Sequence, residues 1–203
     1  MVQRIHQCAM LLIMLAFANG LSSQGVSFRL SYDNPIVLKP GTYYKSFPGF
    51  DFEFNRNEDV TSQLFVGLGF TYFKVRPGSY NLNDPDFPDD SITYSNMPVI
   101  AFRAGLRGSI LREAEHSPTL GLSLGYFFVR YKESIWQSNV PEPTTVALRG
   151  GMLAVTPEIG YIFAQQKQVS YALQARMHIT GSLAPERFWM IMDLGAQVTY
   201  SFW

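Results

Sequence analysis

Only one cysteine, Cys8, occurs in the 203-residue chain, and it lies in an N-terminal segment that reads as a cleaved leader, so a disulfide framework and thiolate chemistry are not expected of the mature protein. Charge is scarce too. Asp, Glu, Lys and Arg make up 16% of the chain, against roughly 25% in an ordinary soluble domain. The formal net charge is zero and no block of like charges occurs, which excludes nucleic acid as a partner, because that calls for a basic stripe or patch. Long hydrophobic runs are also missing beyond the N-terminus. The one apolar run, Cys8 to Ala18, is shorter than the roughly 20 residues of a transmembrane helix. No strong catalytic motif, cofactor fingerprint or metal-ligand spacing stands out, so no catalytic residue, cofactor or metal is expected.

What is abundant is aromatic: Phe, Trp and Tyr make up 15% of the chain. With so few charges, this composition implies extensive apolar surface, buried in protein or in lipid. Arg4 followed by the apolar run and then small residues reads as a signal peptide. Cleavage is expected after Ala18 or just before Gln24. The chain divides accordingly into a leader, 1–23, and one domain, 24–203.

Period-two alternation dominates that domain. Eight runs show it: Val26 to Asp33, Gly49 to Phe54, Gln63 to Tyr72, Ile100 to Arg107, Thr119 to Phe128, Leu153 to Phe163, Val169 to His178 and Met190 to Phe202. Most reach the 9–11 residues with which a tilted strand crosses a bilayer. The connections alternate in character. Those at Arg76 to Asn96 and Lys132 to Leu148 are long and rich in turn residues, whereas Asn55 to Ser62, Ser109 to Ser117 and Ala164 to Lys167 are short. Long loops on one side and short turns on the other are the outer-membrane arrangement. Pro157 falls inside the sixth run, where it cannot donate to a ladder, and predicts a bulge there.

Alternation alone leaves the direction of the apolar face open, since a soluble ligand-binding barrel alternates as well. The polar face decides. It carries Gly67, Gly69, Gly105, Gly121, Gly125, Gly160 and Gly195, which suit a crowded interior better than a water-facing exterior. Aromatics collect toward strand ends (Tyr72, Tyr126, Phe128, Tyr161, Phe163, Tyr200, Phe202), as interfacial girdles require. The expected fold is all-β: a transmembrane up-and-down antiparallel barrel of about eight strands, both termini periplasmic.

The C-terminus, Tyr200-Ser201-Phe202-Trp203, ends an alternating run on aromatics and resembles the assembly signal of outer-membrane barrels. Phe202 is the in-phase aromatic and Trp203 lies one position beyond. The whole domain resembles the OmpA/OmpX-like superfamily, in the outer membrane protein beta-barrel domain group. That resemblance implies the outer membrane of a Gram-negative bacterium, and as partners its lipid, the barrel-assembly machinery and periplasmic chaperones.

An eight-stranded barrel has an interior just wide enough for side chains to fill. Charges phased to point inward are Arg29, Asp51, Glu53, Arg103, Arg107, Glu158, Arg176 and Asp193, balanced in sign. Because buried charges must be paired, they are expected to form a lumen network that plugs the barrel; a gated polar path is the alternative. His178-Ile179-Thr180 with Glu186 superficially resembles the His-x-Ser motif of lipid A deacylases, but threonine replaces the nucleophile and His178 is phased inward, as a satisfied histidine near the rim. Asp84, Asp86, Asp89 and Asp90 lie in the longest loop without calcium-site spacing and read as a solvated acidic loop. Tyr80, Phe87, Tyr94 and Trp136 lie in long loops, either packing them together or marking a surface for an extracellular ligand. The expected function is a non-enzymatic envelope or surface-binding protein acting through its extracellular loops. The alternatives are a narrow pore for small solutes and a lipid A-modifying enzyme.

Overall fold

The computed structural model describes residues 24–36, 44–57, 62–76, 80–81, 91–111, 116–137, 140–165, 168–181 and 188–202. The expected leader, the acidic loop residues Asp84 to Asp90 with Phe87, Glu186 and Trp203 all lie outside them. Every element among the described residues is a strand. Eight long strands form the wall: β1 (Gln24–Pro35), β3 (Phe47–Asn57), β4 (Ser62–Val75), β7 (Met97–Ser109), β8 (Ser117–Trp136), β9 (Thr144–Gln165), β10 (Val169–Gly181) and β11 (Phe188–Ser201). Three short strands, β2 (Tyr44–Lys45), β5 (Tyr80–Asn81) and β6 (Ser91–Tyr94), lie at the end where the long connections are.

Each long strand pairs antiparallel with its neighbours in chain order, and β1 pairs with β11 from Gly25↔Ser201 to Pro35↔Ile191. The sheet therefore has no free edge around the wall. Closure is what allows a sheet to stand in lipid, where an unpaired backbone group has no water to turn to.

The two faces separate as period two dictates. On β1, Phe28, Leu30 and Tyr32 are exposed while Ser27, Arg29 and Asp33 are buried. The pattern repeats around the wall, with Leu124 at 66% the most exposed large apolar side chain among the described residues. Each such residue would forfeit roughly 1.5–3 kcal/mol if left in water, so this exterior is built for hydrocarbon. Aromatics border it at both ends. Tyr161, Phe163, Tyr171, Tyr200 and Phe202 are exposed near the short turns, with ring pairs Phe163–Tyr171 at 6.2 Å and Tyr200–Phe202 at 5.1 Å. At the opposite end Phe128 contacts Tyr126 at 4.6 Å and Phe102 at 6.0 Å.

Two expectations need correction. No bulge occurs at Pro157: its register with β8 runs unbroken through Leu122↔Pro157. On the β10 side the paired positions stop at Arg176↔Glu158 and resume at Ile179↔Val155 in the same register. The lost backbone donor thus costs a local lapse in one ladder, which a cross-strand bond between the Thr156 hydroxyl and His178 Nδ1 spans at 2.9 Å. The register shift in this pair lies at Tyr171/Ala172, near the short-turn end. The second correction concerns Lys132 to Leu148, read as a loop. β8 and β9 remain paired as far as Ile135↔Thr144, so this segment is largely a hairpin that continues the wall outward. β6 adds to it through Ser91↔Trp136 and Tyr94↔Glu133.

Candidate functional site

All eight charges phased inward are buried together in the lumen. Glycine makes the room. A Cβ on Gly195 would stand 2.7 Å from Arg29 Cζ, and one on Gly125 would stand 2.9 Å from Arg103 Cγ. The glycines of the polar face thus leave space for arginines reaching across from neighbouring strands.

Arg176 lies at the centre, 2% exposed. It donates from Nε to Glu158 at 2.5 Å, from Nη1 to Asp51 at 2.8 Å, and from Nη2 to Glu53 at 2.5 Å and to the Gln174 side-chain oxygen Oε1 at 3.1 Å. Arg107 binds Glu158 in a fork and reaches Glu53 at 3.1 Å and Gln63 at 3.2 Å, with its guanidinium 4.7 Å over the Phe65 ring. Arg29 forks onto Asp193, 2.6 Å from Oδ2, and also reaches Asp51 at 3.1 Å. Such bidentate pairs are the strong form of charge-assisted hydrogen bond, and they fix the guanidinium planes. Arg103 is held less fully. Its Nη2 is 2.7 Å from Asp51, while Nε and Nη1 have no hydrogen-bond partner among the described residues.

A ninth acidic side chain lines the lumen beside this network and was not singled out in the sequence. Asp33 is 5% exposed and accepts a hydrogen bond from the Thr71 hydroxyl. Its place at the end of the first alternating run hid it, since a strand-end carboxylate reads equally well as the first residue of a loop. Four arginines therefore face five carboxylates (Asp33, Asp51, Glu53, Glu158 and Asp193). His178 lies among them, not near the rim: it is 6% exposed, with Nε2 3.4 Å from Asp193 and its ring 5.1 Å from that of Phe127. Thr180, two residues on, is wholly buried and contacts the Met152 sulfur at 3.7 Å.

Above the charges the lumen changes character. Phe73, Met97, Val99, Ala101, Phe127, Val129, Tyr131, Met152, Ala154 and Ile191 are buried in one apolar cluster with Tyr44, and Tyr94 packs against it. These residues share the inward phase with the charges but occupy the half toward the long connections. At the junction lies a cavity of about 20 Å³, bordered by Asp33, Arg103, His178, Phe73 and Phe127 among others, which is room for about one water molecule. Among the described residues the apolar cluster fills the lumen between the charges and the far end.

Tyr200 and Phe202, the described part of the C-terminal signal, are exposed on the outer face. Trp136 is exposed at the end of β8, whereas Tyr94 is an inner-facing residue whose ring lies 6.4 Å from Tyr44 and 6.5 Å from Tyr131.

A closed wall, an apolar outer band between aromatic girdles and a lumen filled by side chains define an outer-membrane β-barrel of OmpA/OmpX-like fold, the architecture of the Gram-negative outer membrane. Solved barrels share it. The chain is similar to the outer membrane protein OprG from Pseudomonas aeruginosa, with a TM-score of 0.56 and 9% identity, over 89% of this chain and 95% of that one. It is similar to Neisserial surface protein A, with a TM-score of 0.52 and 13% identity, over 90% of this chain and 100% of that one. A major outer membrane protein from Thermus thermophilus gives a TM-score of 0.52 at 9% identity, over 90% and 100% of the two chains. At these identities the likeness is one of fold. No family model and no curated protein matches the sequence.

Proposed function

We propose that this barrel is a non-enzymatic surface-binding protein that acts through the sheet it projects outside the cell. One observation carries the reading. β9 is paired with β8 from Thr144 onward, but with β10 only from Leu153. Residues 144–152 therefore present one edge with no strand partner among the described residues. The side chains described along Thr144 to Gly150 are exposed. An edge without a strand partner among the described residues is open to an added strand, in which main-chain hydrogen bonds supply affinity and alternate side chains supply selectivity. The projection is braced rather than loose, because β6 pairs with β8 on its other side. The filled lumen supports the same reading over a pore, and the enclosure of His178 between Thr156 and Asp193 supports it over lipid A chemistry.

The test shortens the hairpin. Glu133 and Val146 are cross-strand partners, so replacing residues 134–145 by Asn-Gly closes the hairpin directly after that pair with a compatible turn. Cells carrying this variant and cells carrying the parent chain are compared for attachment to cell monolayers, to immobilised serum proteins and to one another. Attachment in at least one assay is expected to fall while the barrel still shifts on boiling in a detergent gel. A second variant adds Ala147→Pro to the shortened hairpin and so blocks the part of the edge that remains, and equal attachment of the parent chain and both variants in all three assays would overturn the proposal. Lipid A mass spectra of cells with and without the protein are expected to be identical; a new lipid A species would overturn its non-enzymatic part.

A further inference from the structure

The outer face carries a charge asymmetry outside the lumen network, and Arg149 alone of its cations lies on the projecting edge. Outward positions of the described strands hold the cations Lys45, Arg56, Lys74, Arg130, Lys132 and Arg149, and no carboxylate. All but Arg56 lie at the extracellular end. They stand immediately beyond the apolar band: Lys74 follows the outward Tyr72 by two residues, and Arg130 follows the outward Phe128 by two. Two residues of strand advance about 6.6 Å, which places these cationic groups at the level of lipid headgroups rather than of acyl chains.

Their arrangement is costly in isolation. Lys45 is directly opposite Lys74, and Arg130 is directly opposite Arg149. Like charges facing each other across a ladder destabilise it. These four residues form no ion pair with a carboxylate among the described residues, although Lys74 does lie 4.9 Å from the centre of the Phe47 ring. The backbone beneath them is tied together. The Val75 amide donates to Asn96 Oδ1 at 3.0 Å, and the Lys132 amide donates to Ser95 Oγ at 2.8 Å. The connection 95–96 thus fastens β4 to β8 and sets Lys74 and Lys132 on one stiff rim. With β2 and β9 on its flanks, the rim spans several strands at about 4.8 Å each.

The geometry points to a binding site for phosphorylated headgroups of the outer-leaflet lipid, formed by Lys45, Lys74, Arg130, Lys132 and Arg149. An anionic phosphate relieves both like-charge pairs, and a facing pair of guanidinium groups matches its oxygens in the forked geometry that arginine favours. The commitment to a lipid rests on continuity: the cations border the apolar band, so a headgroup reaches them when its own acyl chains lie against Tyr72, Phe128 and Leu153. An adventitious anion or a soluble acidic partner gains nothing from that contact.

The test uses the full folded protein in detergent micelles and two probes, bis-phosphorylated lipid A and the same lipid A with its phosphates removed. Retention of each lipid is measured by native mass spectrometry, with heat-shifted gel mobility confirming the fold. The phosphorylated lipid is expected to be held at least about tenfold more tightly than the dephosphorylated one. That preference is expected to vanish in the exposed, charge-removed variant Lys74→Gln/Arg130→Gln/Lys132→Gln/Arg149→Gln, and to persist in Arg130→Lys/Arg149→Lys with reduced strength. Equal retention of both lipids, or a preference that survives removal of the four charges, would overturn the site. Displacement of the lipid by inorganic phosphate at matched concentration would overturn its assignment to lipid. Loss of attachment in the hairpin-shortened chain reads out separately, since that variant keeps Lys74, Arg130, Lys132 and Arg149.

Discussion

The two halves of the lumen are closed by opposite means. Toward the periplasm, Arg29, Arg103, Arg107 and Arg176 interlock with carboxylates of β3, β9 and β11. Toward the outside, Phe73, Met97, Phe127, Met152 and Ile191 pack as an ordinary core. The charged half carries a large desolvation cost that is offset only while every partner is present. The apolar half gains from burial residue by residue and degrades gradually. What separates them is therefore less their strength than their tolerance: the charged half is brittle and specific, the apolar half forgiving.

The sharpest break is expected at Arg176. Arg176→Met removes the shared partner of Glu53, Glu158 and Asp51, and is expected to cost about 3–5 kcal/mol. Urea unfolding of the barrel in lipid vesicles measures it, and a loss below about 1 kcal/mol would show that the lumen charges are already hydrated. In the apolar half, Ile191→Ala leaves a cavity among side chains that can partly close over it. A cost of about 2–4 kcal/mol is expected by the same measurement, with no change in its dependence on salt. The smallest effect is the most discriminating. Arg29→Met alone leaves Asp193 with a buried, under-compensated charge, yet Arg29→Met combined with Asp193→Leu removes the fork together with its desolvation cost. The double variant is expected to lie within about 1 kcal/mol of the parent chain while each single one loses about 3 kcal/mol. A double-mutant cycle with additive losses would contradict the brittleness assigned to this half.

Much of the wall was legible because a membrane barrel enforces strict alternation. A residue such as Leu124 that faces lipid and a neighbour such as Ser123 that faces the lumen cannot exchange roles, so period two marks every spanning segment. The inward charges were legible for the same reason. Their pairing was not, because which arginine meets which carboxylate depends on strand stagger, and Arg176 reaches Asp51 and Glu53 from the far side of the barrel. The apolar half of the lumen was hidden where both faces are apolar: Phe127 lies between Tyr126 and Phe128, and Phe73 follows Tyr72, so alternation vanishes locally. The projecting hairpin was hidden because outside the membrane no face needs to be apolar, and Lys132 to Leu148 then reads as a loop. Pro157 misled for a different reason. A proline needs an escape for its missing donor, and here a lapse in one ladder beside the Thr156–His178 contact provides it without an extra residue.

Conductance tests the closure of both halves at once. Purified, folded protein in a planar lipid bilayer at high symmetric salt is expected to give no resolved current steps. Arg176→Met is expected to stay equally silent, because Phe73, Phe127 and Ile191 still close the outer half. Steady unit steps from the parent chain would contradict a filled lumen and return the barrel to the class of narrow pores.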